Sequence, residues 1–386
     1  MKTPLHEIAT LAGSLETELK TAEIHKSNDF YGFASVLKKY AGVPDTYQIK
    51  AAIEHGPLMG NCIWDNDIEA PLPAIFPMSR CRRMFLNKKT DKPVIPIGPV
   101  ITYAEGYLSM EELRNEKQKL GRTLVAFPAH STHWIDVAYD IEGYCNFLEE
   151  LGKSFDTVIV CLYWKDVLRR VAEHYRARGF YCVTAGHIFD PLFMSRLRSI
   201  IALADLTTSN EISSVLGYCV LLGKPHYYHE VHTTWHAPSQ DILIRDTCGG
   251  TGARPFFRWI FDLFMEPMDV VTDRQRDVIS YYWGYYDSKT PKEIGLLFQL
   301  TEEMYRRKLS HRRDFSMLSL QKTGSDLSKC LKAVFQRRGT ADACEGINGK
   351  ASFQGQQGFF EKEQTQSLHH TSSHYDATQQ QFSVKV

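Results

Sequence analysis

Apolar and polar positions along the chain change rhythm near residue 120. From there short apolar runs alternate with amphipathic segments, predicting strands over 123–127, 157–162, 181–184, 206–208 and 224–229. The intervening segments predict helices over 135–151, 165–178, 191–203 and 211–222. Continuous apolar strands separated by helices are the signature of parallel strands with crossover helices, buried on both faces. The predicted class is therefore α/β with a doubly wound sheet.

The chain before this block is less regular. Helices over 5–24 and 31–40, short strands over 47–53, 74–77 and 94–97, and a helix beginning at Ser79 predict a reduced α/β unit, followed by a charged helix over 110–120. After His229 come an irregular His- and Trp-containing loop, an aromatic helix over 255–263 and helices over 274–283 and 291–308. Apolar periodicity fades after Ser316, and Gln, Ser, His and Gly dominate from Gly339, a composition that predicts disorder. The expected organisation is an N-terminal α/β domain over 1–118, a Rossmann-like nucleotide-binding domain over 119–265, C-terminal helices over 266–315 and a tail over 316–386.

Charge and cysteine content narrow the classes. Lys plus Arg equals Asp plus Glu at 45 each, so no overall field favours nucleic acid, and none is expected as a partner. Nine cysteines scattered without a CxxC pair fit a reducing compartment better than a disulfide framework or zinc site. No basic segment followed by an apolar run opens the chain, and no apolar stretch is long enough to span a bilayer. The expected location is the cytoplasm or the inner face of the membrane. Attachment there would use Arg306, Arg307, Lys308, Arg312 and Arg313, each worth about 1 kcal/mol near anionic lipid.

In a doubly wound sheet ligands sit beyond the carboxyl ends of the strands. The residues expected there are polar: His130, Ser131, Thr132 and His133, then Tyr163 and Trp164, then His187 and Asp190, then Ser209 and Asn210. Ser209, Asn210, Ser213 and Ser214 open a helix, where unpaired N–H groups and the helix dipole favour a phosphate. Ser and Asn are equally ordinary helix caps, and Asp190 before Pro191 reads first as a cap. His55, between Glu54 and Gly56 after a predicted strand, has the pKa range of a general base, or is a histidine hydrogen-bonded across a turn.

Three segments carry a family resemblance: His55-Gly56 after a strand, Ile97-Gly98-Pro99, and the TSNEISSVLGY block from Thr208 to Tyr218. Over roughly 45–300 the chain resembles GT-B type glycosyltransferases of bacterial capsule and surface-polysaccharide clusters. Broader similarity extends to bacterial sialyltransferases, CDP-glycerol polymerising transferases and UDP-N-acetylglucosamine 2-epimerases. The resemblance implies two Rossmann-like domains, the first of them reduced here, and a nucleotide-sugar donor held by the second. It also implies a glycan or lipid-linked acceptor. His55, beside Glu54, would be the catalytic base, and His130, Ser131, Thr132, His187, Ser209, Asn210, Ser213 and Ser214 would hold the donor. No DxD stands where a metal-dependent GT-A enzyme places one, so no obligatory metal or cofactor is expected. The alternatives are an epimerase or hydrolase on the same scaffold, or a non-catalytic protein of polysaccharide assembly.

Overall fold

A computed structural model describes residues 22–56, 63–132, 135–211, 213–239 and 259–321. The first predicted helix and the tail fall largely outside the described residues, as do His133 and the first four positions of the predicted helix over 255–263, whose residues 259–262 are helical. Near the start, the Phe33–Ala41 helix closes on Gly42. Two strands of two residues, β1 (Ala52–Ile53) and β2 (Ile75–Phe76), then pair in parallel. Residues 94–97 run beside β2 without becoming a full strand: only Val94 bridges to Ile75, although Ile95 and Ile97 donate to Ile75 and Pro77 at 2.9 Å. Pro73, Pro77, Pro93 and Pro96 remove the N–H groups a longer ladder would need, which keeps this sheet minimal.

The charged helix Met110–Leu120, opened by a capping box between Ser109 and Glu112, leads into β3 (Thr123–Phe127), buried at every position. With β5 (Thr157–Cys161), β6 (Tyr181–Val183), β7 (Leu206–Ser209) and β8 (His226–Tyr228) it forms one parallel sheet in the order β6-β5-β3-β7-β8. The chain builds outward from β3 to one side, then returns to build out the other. The switch point therefore lies between β3 and β7, the place where sheets of this kind hold their ligands. The architecture is α/β with a five-stranded parallel sheet, as the sequence pattern predicts. All described residues belong to one compact unit, and one cluster of buried side chains includes Phe33, Phe76 and Ile97 together with Val125, Ile200 and Leu297.

Three predicted elements are corrected. Residues 136–139 are not helical: β4 (Asp136–Tyr139) pairs antiparallel with β9 (Thr233–His236), and the helix begins only at Ile141, capped by the Asp140 carboxylate on Gly143 N–H. Val137 is buried and Ala138 exposed, a period of two that a 3.6-residue reading overlooks. The helix over 165–178 breaks into Trp164–Leu168 and Ala172–Ala177 around Arg170, which takes a left-handed φ of 65°. Beyond Ser316 order continues, since Arg312–Gln321 is helical with Phe315 and Leu318 buried.

Candidate functional site

The site is built where the loop after β1 meets the helix after β7. That helix, Ser214–Leu221, starts at the cap residue Ser213, whose hydroxyl faces Val215 N–H at 3.4 Å. Its position is fixed from behind: Trp283 is fully buried, donates from Nε1 to the Ser214 carbonyl at 3.0 Å and lies where a side chain on Gly217 would go. From the front, the chain leaves β1 through Glu54 and His55 and turns at Gly56 with φ +69°, a left-handed conformation suited to glycine. A Cβ on Gly56 would lie 3.5 Å from Ser214 Oγ. The expected base and the expected phosphate-binding helix start are thus brought side by side.

His55 lies in an aromatic cage, stacked on Phe33 at 5.2 Å with Phe30 at 5.1 Å. Burial pushes its pKa from 6.5 down to about 4, opposed by Asp67 and by a hydrogen bond to the Ser27 backbone. Nε2 is sealed from solvent and has no hydrogen-bond partner. The Ser27 backbone contact favours the charged ring, so it involves the carbonyl oxygen. In the tautomer with its proton on Nδ1, the neutral ring carries its lone pair on Nε2.

A chain of rings links this cage to the carboxyl edge of the main sheet. Phe30 meets Phe189 at 5.1 Å, Phe189 meets His187 at 5.9 Å, and His187 meets Trp164 at 4.2 Å. Trp164 then meets Tyr163 at 5.8 Å, and Tyr163 meets His130 at 4.8 Å. Gly32 makes the approach feasible, since a Cβ there would lie 2.4 Å from the Pro191 carbonyl oxygen. Asn210 sits at the switch point itself, fully buried, and its Oδ1 accepts from Ala129 N–H at 2.6 Å across from β7 to the chain leaving β3. Its Nδ2 is buried with no hydrogen-bond partner. His55 Nε2 and Asn210 Nδ2 are two buried polar atoms, one from each loop, that have no hydrogen-bond partner among the described residues.

Other expected site residues are committed to the protein itself. Glu54 receives two hydrogen bonds from Arg82, at 2.7 and 3.0 Å, with both side chains about 2 % exposed. Ser131 is fully buried: its hydroxyl donates to Asp166 at 2.6 Å and accepts from Arg169 at 2.7 Å and from Val137 N–H at 3.2 Å. Thr132 Oγ1 accepts from Ile135 N–H at 3.2 Å. Ser209 Oγ meets His226 Nε2 at 2.9 Å, while Thr207 Oγ1 meets the Nδ1 of the same ring at 2.9 Å and donates to the Pro225 carbonyl at 2.8 Å. Since the Thr207 proton is spent on Pro225, His226 Nδ1–H donates to Thr207 and Nε2 accepts the Ser209 proton. Ser209 therefore has no proton left for a phosphate. His187 is buried and takes the Phe189 N–H on Nδ1 at 3.3 Å; His130 Nδ1 contacts the Ser131 carbonyl at 2.9 Å. Asp190 bonds Leu192 N–H at 2.9 Å and forms a buried ion pair with Arg196.

No protein-family model and no curated protein matches the chain. Among solved structures, that of TarM is similar. It matches 73% of this chain and 53% of its own at 11% identity with a TM-score of 0.26, so the match spans about half of TarM. At that level the likeness decides neither fold nor activity.

Sequence reasoning missed His226, Arg82, Asp166 and Arg169. Three hydroxyl residues in succession in a buried strand, Thr207 to Ser209, were the available signal for His226, because buried hydroxyls require partners. Among the described residues no group of three or more His, Cys, Asp or Glu side chains could hold a metal ion, and no helix is long and apolar enough to cross a membrane. The basic cluster near the end is largely paired: Arg306 and Arg307 with Glu303, and Arg312 with Asp91, while Lys308 is exposed.

Proposed function

We propose that the chain is a glycosyltransferase that moves a sugar from a nucleotide-sugar donor to a surface glycan or lipid-linked acceptor, with no obligatory metal. One observation carries the reading: the partnerless, buried Nε2 of a neutral His55 beside the start of the Ser214–Leu221 helix. A neutral imidazole with a free lone pair is the form that takes a proton from an acceptor hydroxyl. The helix amides, the Ser213 and Ser214 hydroxyls and Asn210 Nδ2 would stabilise the negative charge of the departing nucleotide phosphate. His130, only part-buried, would lie towards the rest of the donor, while the buried His187 ring would support it through Trp164. The bonds already made by Glu54, Ser131 and Ser209 leave them to hold the loops in place. Arg306, Arg307, Lys308, Arg312 and Arg313 would bring the enzyme to anionic lipid at the cytoplasmic face.

Calorimetric titration with CMP, UDP, CDP and GDP tests the donor site. Binding of one nucleotide, lost in Ser213→Trp, is the expected result, and absence of binding by all four overturns the reading. A second reading, ligand binding without turnover, is favoured by the Glu54–Arg82 pair, which withdraws the carboxylate preceding His55 in the chain from chemistry. It predicts that His55→Leu leaves cellular glycan unchanged while removal of the whole chain abolishes it.

A further inference from the structure

A second concavity, of about 640 Å³, lies away from His55 between the start of the Ile141–Gly152 helix, the segment after β8 and the β4–β9 ribbon. Its size falls among small-molecule sites, roughly 300–1,000 Å³. Tyr139, Asp140, His229, Glu230, His232 and Thr234 line it. Ala138 and Thr234, opposite one another in the ribbon, give it a floor of small side chains. The His229 ring is half-buried and lies flat on Phe147, with centroids 3.7 Å apart and planes 3° from parallel, so its orientation is fixed.

We infer that this concavity binds a neutral saccharide. Three features select that chemistry. The helix start, which would attract an anion, is already answered by the Asp140 carboxylate on Gly143 N–H at 2.9 Å, and Glu230 adds a second negative charge. Phosphate-bearing ligands are therefore disfavoured. Carboxylates accept from sugar hydroxyls, imidazoles both donate and accept, and the Thr234 hydroxyl, which donates to the Ala138 carbonyl at 3.2 Å, can still accept, so the lining matches a ligand rich in hydroxyls. Tyr139 and the side of the His229 ring away from Phe147 supply the aromatic part of the lining, suited to the C–H face of a pyranose. The binding claim holds whether or not the His55 site transfers anything.

Saturation-transfer NMR on the full chain, with maltopentaose, cellopentaose, chitopentaose and poly(glycerol phosphate) as probes, tests it. Thr234→Trp places a strand-compatible ring in the groove from an exposed position, and Glu230→Gln removes a rim acceptor. The expected outcome is transfer to at least one neutral oligosaccharide, weakened about tenfold or more by Thr234→Trp and reduced by Glu230→Gln. An unaltered melting temperature in the two groove variants would tie the loss to the site. Transfer to none of the neutral sugars, equal transfer in Thr234→Trp, or preference for the polyanion overturns the inference. Nucleotide calorimetry on Thr234→Trp separates the two sites, because donor binding near Ser213 should be unaffected by it.

Discussion

His226 and His55 are both held neutral by burial, with pKa values pushed down to about 3 and about 4, yet they serve opposite ends. His226 spends both ring nitrogens on Thr207 and Ser209 and ties β7 to the edge strand β8. His55 spends one and keeps Nε2 sealed and unused. The depressed pKa is common to both, so it does not mark a functional site here. What separates them is hydrogen-bond accounting: a closed ring of partners is architecture, and an unused buried nitrogen is a cost that a site can repay on binding.

The sharpest break in this comparison comes from the residue beside His55. Glu54→Gln leaves the Arg82 guanidinium buried without a counter-charge, and breaking such a pair costs about 3–5 kcal/mol. A loss of unfolding free energy of that size in denaturant melts marks Glu54 as a structural anchor for the His55 loop; lost turnover at unchanged stability would return it to catalysis. The two histidines should then part company. His226→Leu strands the Ser209 hydroxyl inside the sheet and should cost about 2–3 kcal/mol. His55→Leu removes an unused polar atom from an aromatic cage and should change stability by less than about 1 kcal/mol while abolishing transfer. Equal losses in urea melts of the two variants would erase the distinction.

The sequence made the main sheet legible because β3, β5 and β7 are short buried runs whose neighbours are helices close in the chain. The small sheet and the β4–β9 ribbon were harder to see. Prolines interrupt the first, and the partners of the second, such as Val137 and Trp235, meet only after four further strands have been laid down. The polar residues of the site were legible as a set, since strand-end loops collect them. Which of them are unused was not, because that depends on partners brought from afar: Arg82 for Glu54, Asp166 and Arg169 for Ser131, and His226 for Ser209. His55 and Asn210 stand out only after those bonds are assigned.

A dependence on pH that both histidines share sharpens the comparison without replacing the site. Each folded pKa lies below the ordinary 6.5, so the unfolded chain binds protons that the folded one refuses. Stability from this source is fully present above pH 6.5 and is lost as pH falls, through about 4 for His55 and about 3 for His226. Near pH 5 unfolding should take up about two protons at these rings, visible as a melting temperature that falls between pH 6.5 and 4. His226→Leu and His55→Leu should each remove about one proton from that slope. Nucleotide bound beside His55 should alter only its share, because a phosphate near Nε2 favours the protonated ring and raises its pKa. An unmoved His55 resonance in ¹⁵N-detected titrations with saturating nucleotide would place the donor elsewhere.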